Sequence, residues 1–285
     1  MNIVLLRTFL EVSRLRHFGN AAAGLHVTQA AVSARIQQLE LTLGTPLFDR
    51  STRDLKLTPA GHRLLRHADS LVAGWRKAQQ DVAVGEGATQ VSIGGSLRLW
   101  DVLLRDWLQQ IRRRQPNWAI IAESFSTELL TRRLLDGLLD VAIMLEPAQV
   151  EFLQITAVNE LELVMATRQP GATSEEVVGD SYVHVDWGVA QAVEHARAFP
   201  DAPPPLTRVT HARMALDYIV AMGGAAYLPR RMIAEQLAAG SLHIVADAPV
   251  YAPKVYAVFP LRSAQTEELE ECIDLLRPNR HNALL

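Results

Sequence analysis

The chain has 285 residues, which suits two or three domains better than one. Hydrophobic residues make up 49%, enough for a sizeable core and too many for a disordered chain; the single cysteine, Cys272, excludes an internal disulfide framework and a multi-cysteine metal site. The net charge of −3 conceals an asymmetry, because residues 1–84 hold 11 Lys and Arg against 6 Asp and Glu, whereas residues 85–285 hold 17 against 25. A basic head on an acidic body suggests a polyanion partner for the head alone; chance segregation of charge is the alternative.

The head reads as helices with one irregular break. Leu5, Phe9 and Val12 share a helical face behind Asn2, a good cap. His17-Phe18-Gly19-Asn20 breaks the run, and a short helix is predicted over Ala21–Leu25. A third helix starts at Thr28, with Val27 and Val32 at the spacing of a hydrophobic staple. Val32, Ile36, Leu39 and Leu43 line one side, Gly44 is placed to end it, and Gln29, Ser33 and Gln37, flanked by Arg35 and Gln38, lie opposite. A short helix, a tight turn at His26-Val27 and a capped second helix make a helix-turn-helix.

Residues 45–57 read as two short strands around Ser51–Asp54, a hairpin loaded with Arg50, Arg53 and Lys56, as in a wing. Thr58-Pro59 then opens a long helix. Leu64, Ala68, Leu71, Trp75, Ala78 and Val82 follow at alternating spacings of 4 and 3, a seam that suits dimerisation through a second copy; packing on its own domain is the alternative. Gly85-Glu86-Gly87 is the expected hinge.

From residue 90 strands and helices alternate, which predicts a largely parallel sheet covered by helices. Strands are expected at Val91–Gly94, Ala119–Ala122, Val141–Leu145, Ile155–Val158, Leu161–Thr167, Tyr182–Val185, Arg208–Thr210 and Val255–Phe259. Helices are expected at about 97–113, 128–139, 189–198, 211–222, 230–239 and 265–276, with Pro203-Pro204-Pro205 a stiff connection. Cys272 is expected in the core of the last helix.

The run Val27-Thr28-Gln29-Ala30-Ala31-Val32-Ser33 through Ile36, Leu39-Glu40, Leu43-Gly44, Leu47-Phe48 and Arg50 to Leu57-Thr58-Pro59-Ala60-Gly61 resembles the N-terminal signature of LysR-type transcriptional regulators. Leu134–Asp140 and Ala221–Pro229 are similar to segments of that family's effector domain, so the resemblance covers nearly the whole chain. Leu10–Arg14, Arg16–Gly19, Trp100, Trp107 and Trp187-Gly188 further resemble one subgroup. The resemblance implies an α/β protein: a winged helix-turn-helix (1–58), a linker helix (59–84), a hinge (85–89) and a periplasmic-binding-protein-like effector domain (90–285). That domain divides into subdomain I, about 90–160 and 260–285, and subdomain II, about 161–259. It also implies dimers, and dimers of dimers, on double-stranded promoter DNA, with RNA polymerase a partner if the chain is an activator.

The expected DNA-binding residues are Thr28, Gln29, Ala30, Ser33, Arg35, Gln37, Arg50 and Arg53. Gln29 lies in the first turn, where a recognition helix meets base edges, and Gln pairs bidentately with adenine. Ala34 and Gln37 stand where relatives carry basic residues, which shifts phosphate neutralisation to Arg35, Arg50, Arg53 and Lys56. In binding-protein-like folds the ligand sits at the mouth of the parallel strands. That places Ser96, Leu97, Trp100, Ser124, Ser126 and Thr127 near an effector, although Trp100 and Trp187 suit the core as well as a cleft wall, the core being favoured for Trp100; Ser96, Leu97 and Thr127 match the family's inducer-contacting segments. Hydroxyls and helix starts favour a small anion; alternatively Ser96 and Thr127 merely cap their helices.

The nine histidines show no metal-ligand spacing, and no GxSxG, P-loop or strand-linked GxGxxG is present, so no catalytic site, metal or cofactor is expected. Residues 1–10 lack a basic n-region and a cleavage site, and no apolar run approaches a membrane span, so a cytoplasmic location without membrane contact is expected. A solute-binding protein for small molecules, with no role in gene regulation, is the competing reading; the basic helical head argues against it.

Overall fold

The computed structural model describes residues 2–49, 55–83, 89–261 and 266–278, so the wing tip with Arg50 and Arg53 and the hinge glycines lie outside the described residues. The chain forms two compact units, Met1–Gly87 and, for most of its length, Ala88–Leu285.

In the first unit, α1 (Ile3–Leu15) starts where Asn2 Oδ1 accepts the Val4 N–H at 3.0 Å, and it ends at Arg16 in the left-handed region. The expected four-residue break is shorter: α2 spans Phe18–Gly24, because His17 Nδ1 accepts from the Gly19 and Asn20 amides and caps the helix itself. His26 turns the chain at φ +54, and α3 (Gln29–Leu43) begins with Thr28 Oγ1 accepting the Ala31 N–H. Gly44 ends it at φ +67. Leu5, Leu6, Phe9 and Val12 of α1 pack with Ala21, Ala22, Val32, Ile36 and Leu39, each nearly or fully removed from water. Leu43 departs from the expected face and is 46% exposed; it is the last residue of α3, next to the Gly44 cap.

The hairpin forms: β1 (Phe48–Asp49) pairs antiparallel with β2 (Lys56–Leu57). Glu40 of α3 holds it in place by accepting the Leu47 and Phe48 amides, and Phe48 packs on Phe9 with ring centroids 5.5 Å apart. Helix α4 (Pro59–Ala83) starts on Thr58, whose hydroxyl accepts the Gly61 N–H and donates to the Pro46 carbonyl. Gly61 is required there, since a Cβ would stand 2.2 Å from the Leu47 carbonyl oxygen.

Among the described residues the second unit holds three sheets. The first has the order β4-β3-β5-β12-β6, where β3 is Gln90–Ser96, β4 Ala119–Phe125, β5 Val141–Met144, β6 Leu153–Glu160 and β12 Lys254–Pro260. Only β4, β3 and β5 are parallel; β12 runs antiparallel to both β5 and β6, so the expected parallel sheet holds for half of the layer. The sheet also takes the chain back at Lys254, ahead of the expected boundary at residue 260.

The second sheet joins β10 (Ala225–Pro229), β7 (Leu163–Thr167) and β11 (His243–Ile244) in antiparallel order. A parallel pair, β8 (Val183–Val185) with β9 (Thr207–Val209), meets it at the Tyr182–Ala225 bridge. Strands β10 and β11 and the one-turn α8 (Ser174–Val177) are not expected from the sequence, since each is only two to five residues long and shows too little periodicity.

The helix expected over 97–113 is interrupted. It runs as α5 (Leu97–Leu99), a π-helical stretch Trp100–Leu104 and α6 (Arg105–Arg114). Helix α7 covers Thr127–Leu135, α9 Val189–Ala198, α10 Ala212–Met222, α11 Ala234–Ala238 and α12 Thr266–Asp274. Trp107 of α6 donates to the Cys272 carbonyl of α12 at 2.7 Å, and Trp187 donates to the Tyr227 carbonyl, so both buried indoles are satisfied. Asp140 accepts the Ser92 N–H and tethers the start of β5 to β3.

Candidate nucleic-acid interface and effector cleft

The cap at Thr28 and the buried Val32, Ile36 and Leu39 fix the rotation of α3 about its axis. Thr28, Gln29, Ala30 and Gln37 are then exposed, with Ser33 half-buried between them. Arg35 does not join this strip. It lies on the other flank, half-buried, with Nη1 3.5 Å from the Thr8 hydroxyl of α1. At 100° per residue Arg35 and Ser33 fall on opposite sides of the buried stripe, a distinction that polarity alone does not show. Lys56 on β2 is exposed.

The expected seam of α4 divides. Ala68 is fully buried in the head with Val72, and Leu64 is packed against the same core, so these face α1. Leu71, Trp75 and Val82 are 40%, 50% and 87% exposed, and Ala78 is exposed as well. The reason is the length of α4, whose beginning packs on α1 and β2 while its later turns run past them.

The second unit carries a cleft of about 920 Å³, at the top of the range for small-molecule sites. One wall is built from the ends of the parallel strands: Ser96, Leu97 and Arg98 after β3, and Ser124, Ser126, Thr127 and Glu128 after β4. The facing wall carries His184, Asp186, Val189, Arg208 and Thr210. Ser96, Leu97, Ser126 and Thr127 are therefore brought together as expected. Trp100 is not: it packs against the hydrophobic core, and its indole nitrogen is buried next to Gly95. Capping of α7 falls to Ser126, whose hydroxyl accepts the Leu129 N–H, rather than to Thr127. Ser96 makes no cap hydrogen bond, and its buried hydroxyl has no partner among the described residues.

The walls are linked by an ion pair that sequence spacing does not reveal: Arg98 pairs with Asp186 at 2.5 Å. Away from the cleft lining, Asp101 lies 3.5 Å from His211 Nδ1. Glu146, just past β5, accepts the Val189 and Ala190 amides at the start of α9 at 3.1 and 2.8 Å. Free amides at a helix start attract an anion, and here a side chain of the chain itself supplies it. Glu128 is held below the ordinary carboxylate value by its own backbone amide and the Ser126 hydroxyl. Burial and the nearby Arg208 charge lower the pKa of His184.

A capped helix-turn-helix with a wing, joined to an α/β unit with a cleft at the strand ends, defines a DNA-binding regulator with a ligand-binding domain. Residues 3–62 match the profile of the bacterial regulatory helix-turn-helix protein, lysR family, and residues 85–280 match the LysR substrate binding domain; the chain belongs to the LysR family of transcriptional regulators. It is 32% identical over 292 residues to the HTH-type transcriptional regulator HdfR of Yersinia enterocolitica, covering 99% of this chain and 98% of that one, which is the subgroup the Trp and Arg-His-Phe-Gly residues resemble. Among solved structures, full-length CbnR complexed with its target DNA matches with a TM-score of 0.70 at 18% identity, over 97% of this chain and 99% of that chain. Vibrio fischeri DarR in complex with DNA matches with a TM-score of 0.57 at 22% identity, over 97% and 98%. Among the described residues no helix is long and apolar enough to cross a membrane, and no group of three or more His, Cys, Asp or Glu is placed to hold a metal ion.

Proposed function

We propose that this regulator works in the cytoplasm as a homodimer that pairs into a tetramer on promoter DNA and responds to a small anionic effector. The observation that carries the reading is the sidedness of α3. Its aliphatic side is sealed in the head, while Gln29 and Gln37 are exposed and Ser33 lies between them. In this reading α3 enters the major groove, Gln29 reads a base edge and Thr28 and Ser33 hold phosphate oxygens. Ala30 lies close to the groove floor and Gln37 contacts the backbone. Arg50 and Arg53 of the wing add phosphate or minor-groove contacts, and Arg35 contributes charge from the flank.

The exposed half of α4, with Leu71, Trp75, Ala78 and Val82, is the dimer seam, and Leu64 and Ala68 anchor that helix to the head. Domain limits follow the same division: head 1–58, linker helix 59–84, hinge 85–89 and effector domain from 90. The wild-type chain should shift a DNA fragment from its own upstream region in a gel, and binding should follow dimer concentration. RNA polymerase becomes a further partner if the regulated promoter is activated.

For the effector, Ser96, Leu97, Ser126 and Thr127 form the recognising wall, and Arg98 and Arg208 supply positive charge from opposite walls. An anion bound there competes with Asp186 for Arg98. Isothermal titration with a library of small carboxylates and other anions, repeated on Thr127→Val, tests the site. The proposal predicts a ligand whose affinity falls on that substitution; a ligand indifferent to it places binding elsewhere.

A further inference from the structure

The effector domain has two lobes, and the chain passes between them twice. It leaves the five-stranded sheet after β6 for β7 and returns into β12. The two crossings run side by side: Leu161 donates to the Pro253 carbonyl at 3.0 Å, and Leu163 and Tyr251 exchange hydrogen bonds of 2.8 and 3.1 Å. Paired crossings of this kind are where two lobes hinge. At the cleft the lobes hold each other again. Glu146, after β5 in one lobe, grips the start of α9 in the other, with Oε2 on the Val189 amide and Oε1 on the Ala190 amide. Gly188 makes the seat, since a Cβ there would stand 2.6 Å from Oε2 and 2.9 Å from Oε1. Asp186 of the same lobe as α9 uses both oxygens too: Oδ1 accepts the Gly188 amide and Oδ2 pairs with Arg98 of the first lobe.

Three successive amides at the start of α9 are thus taken by carboxylates of the chain itself. A free helix start is where an incoming anion would bind and draw two lobes together. Here Glu146 already does so from the opposite lobe, through charge-assisted hydrogen bonds, which are the stronger kind. From this we propose that the effector domain is latched closed before any effector arrives, with Glu146 in the place of a ligand carboxylate and Arg98–Asp186 as the second clasp. A further contact between the lobes, Asp101 with His211, does not border the cleft. The proposal concerns the cleft already read as the effector site and rests on that reading only for its consequence. An effector anion finds its partners at Arg98, Arg208 and the wall hydroxyls instead of at α9, and in drawing Arg98 from Asp186 it loosens one clasp.

The test is the distance between spin labels on the two lobes of the full-length chain, measured without ligand. Glu151→Cys, just before β6, and Glu235→Cys, on α11, place the labels at exposed positions, and the buried Cys272 stays unlabelled. Neither label is on α9, so a loosened α9 alone does not move them. The otherwise wild-type chain should give one narrow distance distribution. Glu146→Gln should shift it to longer, broader distances. Asp186→Asn, which keeps an oxygen for the Gly188 amide and gives up the charge opposite Arg98, should shift it less, and the two together should shift it furthest. Asp186→Asn alone serves if Glu146→Gln does not fold. Glu271→Gln, which breaks the ion pair with Arg114 inside one lobe, should leave the distribution as it was. The proposal is overturned if the wild-type background already samples the longer distances, if the clasp variants leave the distribution in place, or if Glu271→Gln broadens it as much. No ligand is added, so an effector indifferent to Thr127→Val, which would sink the cleft reading, leaves these outcomes unchanged.

Discussion

Glu146 and Gly188 occupy one space. The carboxylate that holds the Val189 and Ala190 amides stands 2.6 Å from where a Cβ on residue 188 would lie, and Gly188 itself has φ +113. The sharp approach of the chain to α9 and the grip of Glu146 therefore depend on the same missing side chain.

Gly188→Ala combines left-handed strain with that collision and should destabilise the effector domain by about 1–3 kcal/mol in urea unfolding. Much of the loss is the collision, so the same substitution should cost less in a Glu146→Ala background. Equal losses in both backgrounds would leave backbone strain as the whole cause.

Acid should weaken the effector domain through a half-buried histidine. His195 stacks on Tyr182 and touches Phe199 and Tyr227, and burial, helped by His184, pushes its pKa from 6.5 down to about 4. Between those values the unfolded chain takes up a proton that the folded chain refuses, so the contribution to stability is complete above about pH 6.5 and disappears as pH falls toward 4. The urea midpoint should drop across that window, and His195→Phe, which keeps the ring contacts, should flatten the drop. An unchanged slope would assign the acid sensitivity to other groups, His184 first, since burial lowers it in the same direction.

Cys272 is fully buried, and burial pushes its thiol up to about 11. Thiolate is the reactive form, so a maleimide should leave the native chain unmodified and react at a rate that follows unfolding in urea. Rapid modification of the folded chain would contradict its burial.

Much of this architecture is readable from the residues. The caps at Asn2, Thr28 and Gly44 and the Thr58-Pro59 helix start carry their own chemistry, and the bounds of α1, α3 and α4 follow from them. His17 escaped because an imidazole nitrogen capping two amides leaves no signal in a Ser/Thr/Asp/Asn pattern. Arg35 escaped for a different reason: its guanidinium is long enough to reach Thr8 from the flank of the helix, and hydropathy alone does not say which flank a cation takes.

The cleft shows the same limit. Ser96, Leu97, Ser126 and Thr127 follow from strand ends, which local pattern reveals, but Arg98–Asp186 and Glu146 with α9 join residues 88 and 43 or more positions apart. Trp100 stays open in sequence because an aromatic one turn past a strand end suits both a cleft wall and the core; at the start of the π-helical stretch it packs against the core. The antiparallel turn of β12 is likewise set by its partners β5 and β6 and not by its own composition.

The central claim is that the outward strip of α3 reads DNA sequence. Binding of wild type, Gln29→Ala and Arg53→Ala to operator and random duplex, measured over a range of salt, tests it most directly. Gln29→Ala should lose about 1–3 kcal/mol on the operator and little on random DNA, whereas Arg53→Ala should weaken both alike and reduce the salt slope by about one unit. Wild-type affinity of Gln29→Ala for both duplexes would contradict the account.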